Sequence, residues 1–372
     1  MSENEYKEVV THSYGENVKN SFGNIVIGII LFVISVMLLW NNEGNLAKQN
    51  KIANYITKNA IPVEVTAVDK SNNNKLISVA GDATTEATLS DGIITIPNAL
   101  AMKRTVEMYQ WQENKHTDTE TKMGGTTTET TTYSYEKVWS DSEIDSSDFH
   151  VKSHVNPPFT VKSQRWNAKT GKLGDFNLIE TQTSALHHLE DYTNLPQNAK
   201  YTISENYYYK ASDVANPQIG DIRISYSYLP SGSQISVIGM QRTNKTITPM
   251  ISKEGRVYLQ YDGLLSQDEV VEKYRQGNVF MRNLLRFVGF ILMFIGLNIV
   301  LKPLSVLLSF IPIFKNIMSA ITGGLVLLIS AVLSLTIIAI SWLFYRPLLT
   351  VGLFIIIAVL IVAIKYMIKP QK

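Results

Sequence analysis

The sequence has 372 residues, which is enough for more than one folding unit. Its formal net charge is only +2, so the composition implies no polyanionic partner and gives nucleic-acid binding no support. Because cysteine is absent, disulfides, thiol chemistry and cysteine-ligated zinc are excluded.

An uncharged apolar run near the N-terminus, "NIVIGIILFVISVMLLW", ends at Trp40 and has about the length of a membrane helix, which needs ~20 residues. The flank "WNNEGNLA" has no small-x-small cleavage site, so we predict a retained transmembrane helix over 22–41 and not a cleaved signal sequence. The flank places Trp40, Asn41 and Glu43 at the membrane interface, and Gly44 suits the position that ends a helix.

Residues 42–282 show the alternation of β-branched, aromatic and polar side chains that is typical of a β-rich domain. The segments "TVEMYQWQ" and "YSYEKVWS" predict a hairpin with a long Thr/Gly-rich tip around Gly124. Its aromatic residues are expected either to pack in a core or to bind a partner: Tyr109, Trp111, Tyr135 and Trp139.

The pattern predicts further strands at Val63–Val68, Leu76–Val79, Ile93–Ile96, Tyr201–Ser204, Asn206–Ala211, Asp221–Tyr228, Gln234–Gln241 and Val257–Tyr261. Short helical signals occur at Asn98–Thr105 and Thr183–Thr193. Ser266 and Glu269 have capping-box spacing, which predicts a helix that starts there and continues into the membrane.

Three apolar segments follow this domain and predict transmembrane helices at 283–301, 317–345 and 346–364. The first of them includes Arg286, whose long side chain is expected to reach the interface. Residues 302–316 are predicted to form a cytosolic or interfacial loop, because their apolar part is short and contains Pro312 as well as Pro303. The expected interfacial anchors of the last two helices are Trp342, Tyr345 and Arg346.

Four spans place both termini on one side of the membrane, and basic residues indicate which side that is. One set of short segments carries Lys7, Lys19, Lys302, Lys315, Lys365, Lys369 and Lys372, whereas the opposite turn carries Arg346. We therefore predict a cytosolic N-terminus (1–21), a cytosolic C-terminus (365–372) and an extracytoplasmic domain at 42–282. The predicted fold class is a multipass α-helical membrane protein with four transmembrane helices and a large β-rich α+β extracytoplasmic domain.

Signs of catalysis are weak. His150 and His154 lie four residues apart, but the sequence around them is typical of strand and turn, which does not align two metal ligands as a helix would. None of the common hydrolase, metalloprotease or phosphate-loop motifs occurs. We expect no cofactor, no metal and no enzymatic activity. The alternative is an extracytoplasmic enzyme or membrane-stress factor that acts on lipid or peptide through His150, His154 or Asp175, and a second alternative is a channel or transporter.

Several motifs together resemble the transmembrane protein 43 family, also called LUMA. They are, in chain order, "LLWNNEGNLA", "MYQWQE", "YSYEKVW", "HVNP", "QIGDIRISY" and "WLFYRP". Asn45 departs from the pattern of animal members, which carry arginine there, and Asn41–Asn42 is doubled.

The resemblance implies a self-associating membrane scaffold that organises its membrane or recruits other membrane proteins. Animal members imply the endoplasmic reticulum and inner nuclear membrane as the location, whereas a bacterial member implies the inner membrane. The resemblance supplies no catalytic residues. Expected partners are the lipid bilayer, further copies of the chain and other membrane proteins, with no nucleic acid.

Overall fold

The computed structural model describes most of the chain, namely residues 5–13, 15–16, 19, 23–121, 126–277, 279–308, 324–345 and 347–368. The chain divides into two compact units. The first contains Met1–Tyr6, Ile52–His116 and Thr132–Tyr274, and the second contains Lys7–Lys51, Thr117–Thr131 and Arg275–Lys372.

The α-helices of the described residues are α1 (Ile25–Asn59), α2 (Glu180–Thr183), α3 (Gln267–Gln276), α4 (Val279–Leu308), α5 (Val326–Tyr345) and α6 (Pro347–Ile368). Among the residues described, three helical stretches are long and apolar enough to cross a membrane: Ile25–Asn59, Gln267–Leu301 and Val326–Leu343. Helix α6 is a further apolar helix of 22 residues. The chain therefore combines apolar helices of membrane-spanning length with a β-rich domain.

Helix α1 corrects the sequence prediction at Gly44. The helix is continuous over 35 residues, so Gly44 lies inside it and not at its end. Gly44 and the neighbouring asparagines are poor helix formers, but the turns from Ile52 onward bury Ile52, Ala53 and Ile56 in a core of the first unit. This packing stabilises the helix beyond the apolar run, where propensity alone is weak evidence.

The predicted start of helix α3 is confirmed. The backbone N–H and the hydroxyl of Ser266 both donate to Glu269 Oε2 at 2.8 Å, and the Glu269 N–H donates to Ser266 Oγ at 3.4 Å. Along the predicted continuous helix, α3 ends at Gln276, Gly277 is a turn and α4 begins at Val279, while Asn278 lies outside the described residues. Together the two helices form one apolar helical stretch, Gln267–Leu301.

Other helix boundaries also differ from the sequence prediction. Helix α4 continues through Pro303 to Leu308, so the first part of the predicted loop is helical. Residues 309–323 lie outside the described residues, and with them lie the rest of that loop and the start of the predicted third span. Arg346 and Gly124 also lie outside them.

The larger sheet of the described residues has eight strands in the order β1-β7-β6-β14-β13-β12, with β11 paired to β14 and β8 to β6. The strand bounds are β1 Glu5–His12, β6 Ala99–Thr121, β7 Thr127–Ser140, β8 Gln164–Asn167, β11 Glu190–Asp191, β12 Thr202–Ser204, β13 Tyr207–Lys210 and β14 Ile222–Pro230. Strands β6 and β7 form the predicted aromatic hairpin.

The second sheet has seven strands in the order β10-β9-β3-β15-β16, with β19 paired to β15 and β2 to β3. Its bounds are β2 Ile61–Pro62, β3 Leu76–Thr84, β9 Thr170–Leu173, β10 Phe176–Ile179, β15 Ser233–Gln241, β16 Ile247–Thr248 and β19 Leu259–Asp262. Two small hairpins complete the strands of the described residues: β4 Leu89–Ser90 with β5 Thr95–Ile96, and β17 Met250–Ser252 with β18 Gly255–Val257.

Three of the predicted segments in this domain are wrong. Asn98–Thr105 contains good helix formers, but its Ala99–Met102 part is fully buried within strand β6, so packing overrides helix propensity. Val63–Val68 is not a strand beyond the adjoining β2, and Thr183–Thr193 contains only the end of α2 and the short strand β11.

The N-terminal strand β1 is a further difference. The sequence analysis assigned residues 1–21 to a cytosolic segment, yet β1 pairs with β7 of the hairpin. Tyr6 contacts Tyr135 edge-on at 6.2 Å between ring centroids, and His12 Nε2 lies 3.9 Å from Glu129 Oε2. The pattern "EYKEVVTH" did not predict this pairing, because almost all of its side chains are exposed.

Candidate functional site

A buried carboxylate marks the point where helix α1 leaves its apolar run. Glu43 is preceded by the buried Asn42, and the side chain of Glu43 is only 1% exposed. The free-energy cost of moving an unpaired carboxylate out of water is far larger than the stabilisation from one packing contact between helices. A buried Glu43 therefore requires a charged partner.

Arg286 of helix α4 provides that partner. Its Nε donates to Glu43 Oε1 at 2.6 Å and its Nη2 donates to Glu43 Oε2 at 2.8 Å. This bidentate geometry is the strongest that a guanidinium and a carboxylate can adopt. The Arg286 side chain is 26% exposed, so it lies at the edge of the packed helices while Glu43 lies inside.

Trp342 of helix α5 adds a third donor. Its indole Nε1–H donates to Glu43 Oε2 at 2.7 Å, and its ring centroid lies 5.8 Å from the guanidinium carbon of Arg286. The side-chain amide of Asn42 also donates to the backbone carbonyl of Arg282, one turn before Arg286, at 3.2 Å. We call Glu43, Arg286 and Trp342 the polar junction, because they join α1, α4 and α5 through one carboxylate.

Helices α1 and α4 approach each other closely along their apolar parts. A Cβ added at Gly296 would lie 2.8 Å from the Gly28 carbonyl oxygen and 3.0 Å from the Phe32 nitrogen, and both are backbone atoms. A Cβ added at Gly289 would lie 2.8 Å from Leu39 Cγ. Glycine therefore allows the backbones of α1 and α4 to touch, as in the small-residue contacts that are common between membrane helices.

One apolar cluster contains side chains from all four of these helices. Its buried members are Leu39 of α1, Met293 of α4, Ile338 and Ala339 of α5, and Ile357 of α6. Ser334 of α5 lies in the same packing and contacts the sulfur of Met293 at 3.3 Å. The polar junction is thus continuous with a packed interior and is not an isolated surface ion pair.

The predicted interfacial residues separate into two groups. Glu43 and Trp342 meet in the junction, whereas Trp40, 40% exposed, and Asn41 lie on the outer face of α1. Tyr345 is the last residue of α5, and Arg346 lies outside the described residues. The prediction missed the role of Arg286. A glutamate directly after one apolar run and an arginine inside another were the signal that could have revealed it.

The aromatic hairpin carries a second set of predicted residues, all of which lie on one face of the larger sheet. Tyr109 packs on Trp139 at 5.2 Å between ring centroids, and the guanidinium carbon of Arg223 lies 4.7 Å from the Trp139 ring centroid. Glu107 binds Arg223 through two hydrogen bonds of 2.7 and 2.9 Å. Burial of Arg223 disfavours its charged form, but the hydrogen bonds to Glu107 raise the pKa of Arg223. Arg223 therefore stays positively charged beside these rings.

His154 and His150 lie in the loop after β7, and their rings pack against the same hairpin. The His154 ring stacks on Tyr135 at 4.4 Å and meets Trp111 edge-on at 4.1 Å, and the His150 ring stacks on Tyr133 at 4.3 Å. These rings pack as a layer over β6 and β7. The structure therefore brings four of the predicted residues together by ring packing.

Glu113 ties this layer to the loop after β7. It accepts hydrogen bonds from the Tyr135 hydroxyl and, at 2.6 Å, from the His150 backbone N–H, while the Tyr135 oxygen accepts from Val151 N–H at 2.9 Å. Burial, reinforced by the bond to Glu113, raises the pKa of Tyr135 to about 12. A neutral phenol that already donates to a carboxylate is suited to holding the loop and poorly suited to proton transfer near neutral pH.

Asp175 is not part of either cluster. It lies exposed in the turn between β9 and β10, and its backbone N–H donates to the Val65 carbonyl at 2.7 Å. Across the described residues, no group of three or more His, Cys, Asp or Glu side chains is arranged to hold a metal ion. In the polar junction, three donors occupy the Glu43 carboxylate, so its geometry favours helix association over proton transfer.

The chain is similar in sequence to known proteins. The sequence profile described as Transmembrane protein 43 matches residues 108–347. The Transmembrane protein 43 sequences of Rattus norvegicus and Homo sapiens are 28% identical over 356 residues, which cover 90% of this chain and 87% of theirs. The Transmembrane protein 43 homolog of Drosophila melanogaster is 27% identical over 349 residues, covering 90% of this chain and 92% of its own. No solved structure gives a significant match.

Proposed function

The chain belongs to the transmembrane protein 43 family, and on that premise we propose that it is a non-enzymatic, self-associating membrane scaffold. It organises its membrane and recruits other membrane proteins, at the inner membrane of a bacterium or at the endoplasmic reticulum and inner nuclear membrane of a eukaryote. The single observation that carries this proposal is the polar junction. Its charged groups bind each other and so supply helix association and not chemistry.

The hairpin supports the same function. The predicted catalytic candidates His150 and His154 are engaged in ring packing, and Asp175 lies in a separate exposed turn. A rigid layer of aromatic rings on a sheet is well suited to present a fixed surface to a partner.

Self-association is tested by copurification of two tagged copies of the full chain. Copies with different epitope tags are expressed together, solubilised in mild detergent and captured through one tag. We expect the second tag to be retained from co-expressing membranes and to be lost when separately expressed membranes are mixed after solubilisation. Equal retention in both samples would indicate association in detergent, and absence from both would contradict the scaffold.

We further propose a topology of four spans, α1, α4, α5 and α6, with both termini cytosolic and the β-rich domain extracytoplasmic. The apolar length of the helices and the bias of basic residues support this arrangement. Strand β1 opposes it, because paired strands of one sheet lie on the same side of a bilayer and an open ladder does not cross the hydrocarbon.

Cysteine labelling in sealed cells resolves this conflict, since the natural chain contains no cysteine. We expect an impermeant maleimide to label Ser212→Cys and Gly124→Cys, and to label Val10→Cys only after the membrane is opened. Labelling of Val10→Cys together with Ser212→Cys in intact cells would support the β1–β7 pairing and contradict a cytosolic N-terminus. Labelling of Ser212→Cys only after opening would reverse the whole orientation.

A further inference from the structure

A polar cleft lies at the edge of the larger sheet, where strands β12 and β14 begin and strand β13 ends. Its volume is about 400 Å³, which is within the range of roughly 300–1,000 Å³ that is usual for small-molecule sites. Such sites are mostly apolar, whereas this one is lined mainly by polar side chains. We call it the edge cleft, and its polar lining includes Lys200, Tyr201, Thr202, Lys210, Ser212 and Asp221.

The small side chain of Ala211 opens the edge cleft. Strand β13 lies between β12 and β14, and the register of the three strands, continued by two residues, places Ala211 between Lys200 and Asp221. Residues two apart along a strand share one face of the sheet. Tyr209 therefore fills the corresponding place in the next row with a ring, while the methyl group of Ala211 leaves its place open.

The wall of the edge cleft is held in place by packing. The Tyr209 side chain is only 8% exposed, and its ring lies 6.1 Å from Trp139 and 6.0 Å from Tyr207 between ring centroids. On the other side, Asp221 Oδ2 accepts a hydrogen bond from the Gln218 backbone N–H at 2.7 Å. A wall that is already ordered reduces the entropy cost of binding a ligand.

The charges that line the edge cleft restrict the ligand. Lys200 and Lys210 are exposed and supply two ammonium groups, against the one carboxylate of Asp221. A ligand with an ammonium group would be repelled by two cations, and the two charges of a phosphate would be repelled by Asp221. The lining therefore favours a ligand with a single negative charge.

The hydrogen-bonding groups restrict the ligand further. The hydroxyls of Thr202 and Ser212 can each donate and accept, and the Asp221 carboxylate accepts strongly from a hydroxyl group. Apolar surface in the edge cleft is small by comparison, so a hydrophobic acid would leave these groups without partners. A ligand that carries several hydroxyl groups satisfies them.

From the size, charge and hydrogen-bonding groups of the edge cleft, we infer that it binds an acidic sugar with one carboxylate and several hydroxyl groups. The carboxylate lies near Lys200 and Lys210. The ring hydroxyls donate to Asp221 and exchange hydrogen bonds with Thr202 and Ser212. This inference goes beyond the scaffold and does not depend on it, because every residue of the edge cleft belongs to the first compact unit.

The test uses the full chain in nanodiscs and saturation-transfer difference NMR, with D-glucuronate as the probe. Methyl glucoside has the same ring without the charge, and acetate and inorganic phosphate have charge without the ring. We expect glucuronate to bind saturably and more tightly than these three compounds. Absence of glucuronate binding would overturn the inference. Equal affinity for methyl glucoside would do so as well, and equal affinity for acetate or phosphate would identify a general anion site instead.

Two kinds of variant locate the binding. Ala211→Leu fills the hollow and should abolish glucuronate binding without changing any charge. Lys200→Gln and Lys210→Gln should each weaken binding by up to about fivefold, the usual effect of one exposed ion pair. The matched controls are Ala215→Leu, at an exposed position of the same loop, and Lys172→Gln, at an exposed position of β9, and both should bind like the natural chain.

The thermal unfolding temperature of each variant separates a folding defect from a loss of binding. A folded Ala211→Leu variant that binds glucuronate like the natural chain would overturn the inference. If Ala211→Leu does not fold, the two lysine variants decide, because they change only exposed side chains. Unchanged affinity in both lysine variants, or equal losses in Lys172→Gln, would contradict binding in the edge cleft.

Discussion

Arg286→Met is expected to destabilise the helix assembly by about 3–5 kcal/mol, the usual cost of breaking a buried ion pair by removing one partner. The Glu43 side chain is 1% exposed, so without Arg286 its carboxylate stays buried with the Trp342 indole N–H as its remaining junction donor. The substitution keeps most of the side-chain volume, so the effect reports the lost charge and hydrogen bonds.

The reverse substitution should cost less. In Glu43→Gln the unpaired charge is that of Arg286, whose side chain is 26% exposed and can turn toward water. We therefore predict a larger loss of stability for Arg286→Met than for Glu43→Gln. If the two residues formed a surface ion pair, both substitutions would have small and equal effects on stability.

Equilibrium unfolding in mixed micelles, followed by tryptophan fluorescence, measures both variants. Lys172→Met is the control, since it removes an exposed cation from strand β9 and should change the free energy of unfolding by less than about 0.5 kcal/mol. Equal stability of Arg286→Met and this control would contradict a buried junction.

Gly296→Ile is expected to cause the second large loss. Its Cβ would fall 2.8 Å from the Gly28 carbonyl oxygen and 3.0 Å from the Phe32 nitrogen, and neither backbone atom can move without separating α1 from α4. Overpacking of this kind costs roughly 1–3 kcal/mol where side chains yield, and more where only backbone can. Gly296→Ala should already produce part of the loss.

Gly352 of helix α6 provides a matched control for this prediction. A Cβ added there meets nothing within 4 Å, so Gly352→Ile should insert, fold and unfold like the natural chain. Folded yield in membranes and stability in micelles are the measurements. A Gly296→Ile variant as stable as Gly352→Ile would show that α1 and α4 do not touch at this point.

The sequence predicts those parts of the fold that depend on local pattern. An unbroken apolar run identifies α1, alternation of aromatic and polar residues identifies the β6–β7 hairpin, and the spacing of Ser266 and Glu269 identifies the start of α3. In each case the determining groups lie within a few residues of each other.

Features that depend on distant contacts were not predictable in this way. Asn98–Thr105 has helix-forming residues, and only burial between neighbouring strands makes it part of β6. Glu43 and Arg286 are 243 positions apart, and the register of two helices decides whether they meet. Treating Arg286 as a residue that merely reaches the interface therefore missed its partner.

The most direct test of the account is a double-mutant cycle on the polar junction, made from Glu43→Leu, Arg286→Met and the double variant in the full chain. The central claim is that Glu43 and Arg286 stabilise the helices through each other, so the double variant should be more stable than Arg286→Met, with a coupling of about 2 kcal/mol or more. Strictly additive effects of the two substitutions would contradict the claim.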